Sequence, residues 1–89
     1  MEYEWDPAKA KLNLRKHRIS FADAALALED ARALTMADPD ASGEQRFVSL
    51  GSDPRGRVLV TVFTTRGRQT RIISARRASR NERRRYESQ

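Results

Sequence analysis

The stretch from Arg57 to Thr64 (RVLVTVFT) constrains the fold of this chain more than any other segment. Apolar residues occupy both sets of alternating positions in it, which is typical of a central strand that is covered on both faces. Turn-forming residues at 52–56 and 65–68 bound it, and further strands are predicted over 45–51 and 70–75. Because the connections are so short, these three strands are expected to form an antiparallel meander.

Capping signals predict helices on either side of this meander. Asp6-Pro7 supplies an N-cap and a proline at the first helical position, so a helix is expected to run to about residue 16 or 17. Ser20 caps a second helix, which frays near residues 29–30. The run 79–82 (SRNE) is a capping box that begins a third helix. The expected fold class is α+β, a small antiparallel sheet with two N-terminal helices and a C-terminal helix packed on it.

Two short strands are predicted outside the meander. Glu2 to Trp5 alternates acidic and aromatic residues, which is typical of an edge strand whose two aromatic side chains face inward. A strand over 33–36 precedes a loop of turn-forming residues at 38–43. In the first helix we expect Ala8 and Leu12 on the apolar stripe. The polar face of that helix is expected to hold Lys9, Asn13, Lys16 and His17.

Length and composition exclude several classes of protein. Eighty-nine residues suffice for one domain with a modest core, so residues 1–89 are treated as a single domain. Cysteine is absent, which excludes disulfides and thiolate metal sites. No apolar run approaches the ~20 residues that a membrane helix needs, and the first residues have no signal-peptide pattern. We therefore expect a cytoplasmic protein without membrane contact.

Positive charge is concentrated in the last third of the chain. Residues 55–89 hold eleven Arg and two Glu, a net charge of +9, whereas residues 1–54 hold seven Lys or Arg and ten Asp or Glu, a net charge of −3. Guanidinium groups suit bidentate recognition of phosphate or carboxylate. The basic end is therefore expected to bind a polyanion or an acidic protein, the alternative being a solvated basic surface.

Arg71 lies in an otherwise apolar strand, and burying an unpaired charge costs several kcal/mol. Simple alternation would put Arg71, Ile73 and Ala75 on one face of that strand. If Arg46 faces the same side, the two arginines flank a concave surface that Arg76 overhangs, and a phosphodiester could bind there. The alternative is that Arg71 pairs with an acidic residue, for instance Glu82 or Asp30.

The remaining candidates each have a structural alternative. His17 is the only histidine, and beside Lys16 it could act as an acid or base in RNA cleavage, although a lone histidine is more often structural. Tyr86 could stack on a base or anchor the last helix to the sheet. Arg83, in the run 83–85, could contact RNA or a protein partner, or form a solvated basic face.

Three segments together resemble one family: WDPAKAKLNLRKHRISFADAA at the start, EQRF in the middle and RIISARRASRNERRRY at the end. They are similar to the BrnT-type toxins of bacterial toxin–antitoxin pairs, and the likeness covers residues 5 to 86. It implies a RelE-like fold and a ribonuclease that cleaves mRNA and arrests growth. It also implies a BrnA-type antitoxin, which supplies a ribbon-helix-helix DNA-binding part, so that DNA is reached only through the antitoxin. The motif positions are Trp5, Lys9, Asn13, Lys16, His17, Phe21, Arg46, Arg71, Ser74, Arg76 and Glu82.

One position departs from the family pattern. The resemblance implies a glycine after the Lys-His pair, where this chain has Arg18. If the backbone there needs a positive φ, arginine costs about 1 kcal/mol relative to glycine.

Residue chemistry and the resemblance together predict a metal-independent endoribonuclease, without a cofactor, that acts as the toxin of a type II toxin–antitoxin system. The 2′-hydroxyl of RNA would attack the adjacent phosphorus and leave a cyclic phosphate and a 5′-hydroxyl. The alternative is a non-catalytic basic module that binds a nucleic-acid backbone or an acidic partner. The predicted catalytic residues are Arg71, Arg76, His17 and Lys16, and the predicted RNA-binding residues are Arg46, Lys9, Asn13, Tyr86 and Arg83.

Overall fold

The α+β architecture is confirmed in a computed structural model of the protein, which describes residues 2–39, 41 and 43–89. The predicted loop at 38–43 includes residues 40 and 42, which lie outside the described residues. The strands are β1 (Glu2–Glu4), β2 (Leu34–Ala37), β3 (Phe47–Ser52), β4 (Val58–Arg66) and β5 (Gln69–Arg77), and the helices are α1 (Pro7–His17), α2 (Phe21–Leu28) and α3 (Arg80–Glu87).

The strands form one five-stranded sheet in the order β1-β5-β4-β3-β2. β3, β4 and β5 form the predicted antiparallel meander with β4 in the middle, and β2 extends it by pairing antiparallel with β3. β1 differs because it pairs in parallel with β5, along residues 69–71 only. The rest of the outer edge of β5 is therefore left for another element to cover.

A bulge in β5 changes the faces that its side chains occupy. Val62 pairs with Ser74 and the next residue, Phe63, pairs with Ile72, so Ile73 is an extra residue in the strand. The predicted alternation is wrong from this point on. Ile72 and Ala75, three residues apart, both belong to the hydrophobic core. Arg71, Ser74 and Arg76 share the opposite face of the sheet. Their partners on β4 are every second residue, at positions 64, 62 and 60, and such residues point to the same face.

The core lies between the sheet and α2. Phe21, Ala24 and Ala27 of α2 are buried against Leu59 and Ile72 of the sheet. The approach is close because Gly51 of β3 has no side chain, and a Cβ there would lie 2.4 Å from the carbonyl oxygen of Ala27. α2 is consequently fixed on the face of the sheet opposite Arg76.

The aromatic residues of the N-terminal segment face inward, as predicted. Tyr3 and Trp5 pack against the core, and the Trp5 ring meets the Phe21 ring edge-on at 6.0 Å. The contact brings the end of β1 against α2, and α1 begins directly afterwards at the Asp6 cap.

The predicted apolar stripe of α1 is wrong. Leu12 is 61% exposed, whereas Asn13 is only 7% exposed and faces the sheet. The Asn13 amide donates to the carbonyl oxygens of Ala75 (2.8 Å) and Ile19 (3.0 Å) and accepts from the N–H of Ala75 (3.1 Å). Asn13 thus satisfies the edge of β5 that β1 leaves uncovered, as a neighbouring strand would.

Arg18 ends α1 in the left-handed conformation, with φ 60° and ψ 27°. Its N–H donates to the carbonyl of Leu14 at 2.9 Å, which closes the helix end. The residue after the Lys-His pair therefore does need a positive φ, and a non-glycine residue occupies it here.

α3 is held at both ends. The predicted capping box is present at its start, where the Ser79 hydroxyl accepts from the N–H of Glu82. Near its end, the Tyr86 hydroxyl donates to a carboxylate oxygen of Asp30, and that oxygen also accepts from the N–H of Ser52 at 2.8 Å. None of the helices in the described part of the chain has the length and apolarity needed to span a membrane.

Replacing Arg18 by glycine should stabilise the protein. The substitution removes the left-handed strain at φ 60°, and part of the gain is offset by the greater freedom of glycine in the unfolded chain. We expect the free energy of unfolding to rise by about 0.5–1 kcal/mol, measured by urea titration. Arg15→Gly, in the interior of α1, is the matched control and should destabilise instead by a similar amount. A destabilised Arg18→Gly variant would contradict the account of this turn.

Asn13→Ala should lower the free energy of unfolding by about 2–4 kcal/mol, because it leaves buried backbone groups of Ala75 and Ile19 without partners. Lys11→Ala, on the exposed side of the same helix, should change it by less than about 0.5 kcal/mol. Thermal unfolding of both variants distinguishes the roles, and equal small effects would mean that Asn13 does not seal the edge of β5.

Candidate functional site

A cleft of about 260 Å³ opens on the face of the sheet opposite α2. Its floor is apolar and consists of Val48 of β3 and Val60 and Val62 of β4. Val48 pairs with Val62, and Val60 lies two residues before Val62, on the same face of the strand. The rest of the lining is mostly polar and comes from α1, the segment after β2, β5 and α3: His17, Asp38, Ser74, Ala75, Arg76 and Glu82.

The β5 bulge puts Arg71 on the face of the sheet that holds the cleft, although Arg71 does not itself line the cleft. In a regularly alternating strand Arg71 and Arg76, five residues apart, would lie on opposite faces. With the bulge they lie on the same face, paired with Thr64 and Val60 of β4. Thr64 and Val60 are four positions apart on β4, so the backbones of the two arginines lie about 13 Å apart along the sheet.

Arg76 and Glu82 form a bidentate ion pair at the mouth of the cleft. Both terminal nitrogens of Arg76 lie 2.9 Å from carboxylate oxygens of Glu82. The Arg76 guanidinium holds the pKa of Glu82 down to about 2, and Glu82 raises the pKa of Arg76. The same carboxylate accepts from the N–H of Ser79 at 2.8 Å. Glu82 therefore fixes the arginine and the start of α3 together.

The Arg76 guanidinium keeps donors for a further ligand. Arginine has five N–H donors. Two of them go to Glu82 and one to the carbonyl of Arg77 at 3.1 Å, which leaves two of the five. An anion in the cleft can therefore bind Arg76 without displacing Glu82.

His17 is the last residue of α1 and is half-buried. Its ring lines the cleft and also a larger neighbouring cavity, so it lies at the junction of the two. Among the described residues no hydrogen bond involves the His17 ring, so its nitrogens are not committed to a structural contact there. The geometry thus allows proton transfer to or from a ligand in the cleft.

Arg71 has an acidic partner, but not one of those predicted. Its terminal nitrogen lies 3.7 Å from a carboxylate oxygen of Glu4, the residue beside it on β1. The predicted partners are engaged elsewhere, since Glu82 binds Arg76 and Asp30 binds Tyr86. At 3.7 Å the Arg71 pair is looser than a hydrogen bond, and both side chains remain about one-third exposed, at 28% and 32%.

Lys9 and Lys16 do not line the cleft. They border a cavity of about 440 Å³ between α1 and β5, which we call the α1 groove. Its other lining residues include the exposed Leu12 and the bulge residue Ile73. Asn13 also borders it, but its side chain is buried and its amide is engaged in hydrogen bonds to Ala75 and Ile19, so its contact with RNA stays a prediction.

The three other predicted RNA-binding residues are dispersed. Tyr86 anchors α3 through Asp30, which is the structural alternative for this residue, and its pKa is raised by that contact. Arg46 is exposed directly before β3, and its carbonyl accepts from the N–H of Asp38, a residue of the cleft lining, at 2.8 Å. Arg83 borders a third cavity, away from the cleft.

Several lining residues of the cleft were not among the predicted site residues. Ser74 entered only as a motif position, although it borders both the cleft and the α1 groove. The segment around β4 is apolar on both faces in the sequence. That pattern predicts a strand covered on both sides and does not distinguish it from a strand that forms the floor of a cleft. Within residues 2–39, 41 and 43–89, no group of three His, Cys, Asp or Glu side chains is arranged to hold a metal ion.

Comparison with known proteins identifies the family and supports the fold. A family model described as "Ribonuclease toxin, BrnT, of type II toxin-antitoxin system" matches residues 5–82. The crystal structure of the Brucella abortus ribonuclease toxin BrnT superposes with a TM-score of 0.67 at 25% identity, over 90% of this chain and 99% of that one. No curated protein matches the chain significantly.

The Arg76–Glu82 ion pair should make the free energy of unfolding depend on pH in the acidic range. The folded pKa of Glu82, about 2, lies below the ordinary value of 4.5, so the stabilisation is complete above pH 4.5 and is lost as the pH falls towards 2. The difference in unfolding free energy between the wild type and Glu82→Gln should therefore shrink across this window. Glu87→Gln makes the same change of charge on α3 without touching Arg76 and is the control. A difference between wild type and Glu82→Gln that is constant from pH 6 to pH 2 would contradict the assignment.

Proposed function

Because the chain belongs to the BrnT family of ribonuclease toxins of type II toxin–antitoxin systems, we propose that it cleaves mRNA in the valine-floored cleft without a catalytic metal ion. The observation that carries the proposal is the oriented guanidinium of Arg76, which lines the cleft with His17 and Ser74 and keeps two donors without a partner in the described part of the chain. Fixed cationic donors of this kind stabilise charge that develops on a phosphate.

The reaction proposed is an internal transesterification. The 2′-oxygen of the ribose attacks the adjacent phosphorus, and the bond from phosphorus to the 5′-oxygen of the next nucleotide breaks. The proton of the 2′-hydroxyl passes to a base, and an acid protonates the departing 5′-oxygen. The products are a 2′,3′-cyclic phosphate and a 5′-hydroxyl, and no external reactant is consumed.

Arg76 is proposed to bind the non-bridging oxygens, on which negative charge accumulates in the transition state. Glu82 acts through Arg76 by orienting its guanidinium, and it is a positioning residue rather than a catalytic one. Arg71 lies on the same face of the sheet and is held only loosely by Glu4, so it can turn to an adjacent phosphate when RNA binds.

His17 is proposed as the acid or base, since its ring lines the cleft. Lys16 was the alternative for this role, but it borders the α1 groove instead. Lys16 and Lys9 are therefore proposed to contact the RNA backbone beside the cleft, and Arg46 to contact it near Asp38. Positive groups on both sides of the cleft would orient the strand through its phosphates.

Membership of the family implies an antitoxin partner. We propose that this antitoxin is of the BrnA type, with a ribbon-helix-helix part that binds DNA, so that the toxin reaches DNA only through it. The toxin itself would act on mRNA in the cytoplasm.

Arg76→Ala and Arg71→Ala should each lower the rate of RNA cleavage, by about 10²–10³-fold for Arg76 because a fixed transition-state donor is lost. Arg68→Ala, in the β4–β5 turn, is the matched control and should cleave at the wild-type rate. The measurement is single-turnover cleavage of a labelled RNA, with and without EDTA.

Full cleavage by the Arg71→Ala, Arg76→Ala double variant would contradict the assigned roles, and cleavage abolished by EDTA would contradict the metal-independent mechanism. A gel shift without any cleavage by the wild type would favour the non-catalytic binding module instead.

A further inference from the structure

A third cavity, of about 290 Å³, lies where the β3–β4 turn meets the end of β5 and the start of α3. Among the residues that the structure describes, its lining contains four arginines and no acidic residue. We call it the arginine cavity, and its four arginines are Arg55, Arg57, Arg77 and Arg83.

Two of these arginines are engaged in ion pairs. Arg57 lies 2.6 Å from Asp53 and 2.9 Å from Asp23, and Arg83 lies 3.2 Å from Glu87. Within the described ranges, the side chains of the other two, Arg55 and Arg77, form neither a hydrogen bond nor an ion pair. Their positive charge is therefore available to a ligand from outside the chain.

Hydrogen bonds to a buried carboxylate fix the turn that carries Arg55. The carboxylate of Asp53 has no exposed area and accepts from the backbone N–H groups of Arg55 (3.0 Å) and Arg57 (2.8 Å). Gly56 allows the positive φ of 79° that the turn requires. Arg55 is thus displayed from a backbone that buried hydrogen bonds hold in place.

Arg77 is fixed from the other side of the cavity. It is the last residue of β5 and pairs with Leu59, and the next residue, Ala78, donates its N–H to the carbonyl of Val58 at 2.9 Å. Arg77 directly follows Arg76, and consecutive strand residues point to opposite faces. The arginine cavity and the cleft therefore adjoin the same end of β5.

We propose that the arginine cavity binds a backbone phosphate of the RNA strand that the cleft cleaves, outside the scissile bond. The proposal rests on the proposed function, because it assumes that RNA occupies the cleft. A strand that leaves the cleft over the end of β5 meets the guanidiniums of Arg77 and Arg55, whose planar donors match phosphate oxygens.

RNA fits this cavity better than an acidic protein segment does. Protein interfaces concentrate their binding energy in buried apolar or aromatic anchors. The apolar side chains that the described residues contribute to this cavity are only those of Val58 and Ala78. Phosphate contacts need no such anchor. The cavity therefore extends the RNA-binding surface without reading the base sequence.

The test compares Arg55→Gln/Arg77→Gln with Arg68→Gln/Arg84→Gln, which removes the same charge from positions that do not line the cavity. The probe is a twelve-nucleotide 2′-O-methyl RNA, which cannot be cleaved, and affinity is measured by fluorescence anisotropy at several salt concentrations. We expect the first variant to bind on the order of tenfold more weakly and its salt slope to fall by about 0.7, the value for one lost phosphate contact on a single strand. The control should stay close to the wild type.

Equal losses of affinity in the two variants, or no loss in either, would overturn the proposal. So would a loss of binding to a poly-glutamate peptide with RNA binding unchanged, because the cavity would then be a protein site. A dinucleotide substrate, too short to reach the cavity, should be cleaved by Arg55→Gln/Arg77→Gln at the wild-type rate. Because the anisotropy measurement needs no cleavage, failure of the proposed ribonuclease reaction would be recognised separately.

Discussion

The carboxylate of Glu82 is shared between the guanidinium of Arg76 and the backbone N–H of Ser79, and this shared contact joins the last strand to the last helix. Each partner restrains the other, because the ion pair fixes the first turn of α3 and the capped helix fixes the carboxylate. The pKa of Glu82, about 2, keeps the carboxylate charged at any physiological pH. The cleft consequently has an oriented cation at its mouth before any ligand binds, which is the condition for electrostatic catalysis.

The bulge in β5 determines which residues of the strand share a face with Arg76. The bulge at Ile73 puts Arg71, Ser74 and Arg76 on a single face above the valine floor, and it leaves Ile72 and Ala75 in the core. The α1 helix covers the strand edge beside the bulge, and its last residue reaches the cleft. Basic residues line the cleft, the α1 groove and the arginine cavity.

The features of the fold that depend on local sequence signals could be predicted from the sequence. Caps at Asp6, Ser20 and Ser79 marked the three helices, and the apolar run of β4 marked the centre of the sheet. It did not predict the bulge, because an extra residue is visible only once the partner strand fixes the register. Nor did it predict that Asn13 rather than Leu12 faces the sheet, since periodicity favours apolar burial and gives no sign of an exposed backbone edge that needs an amide.

The most direct test of the cleft uses the four valines of the chain as reporters in a methyl NMR titration with uncleavable 2′-O-methyl RNA. Val48, Val60 and Val62 line the cleft, and Val58 lines the arginine cavity. A dinucleotide should shift the methyl resonances of the three cleft valines and leave those of Val58 in place, whereas a twelve-nucleotide strand should shift all four. Saturation of binding with the three cleft valines unshifted would contradict the account.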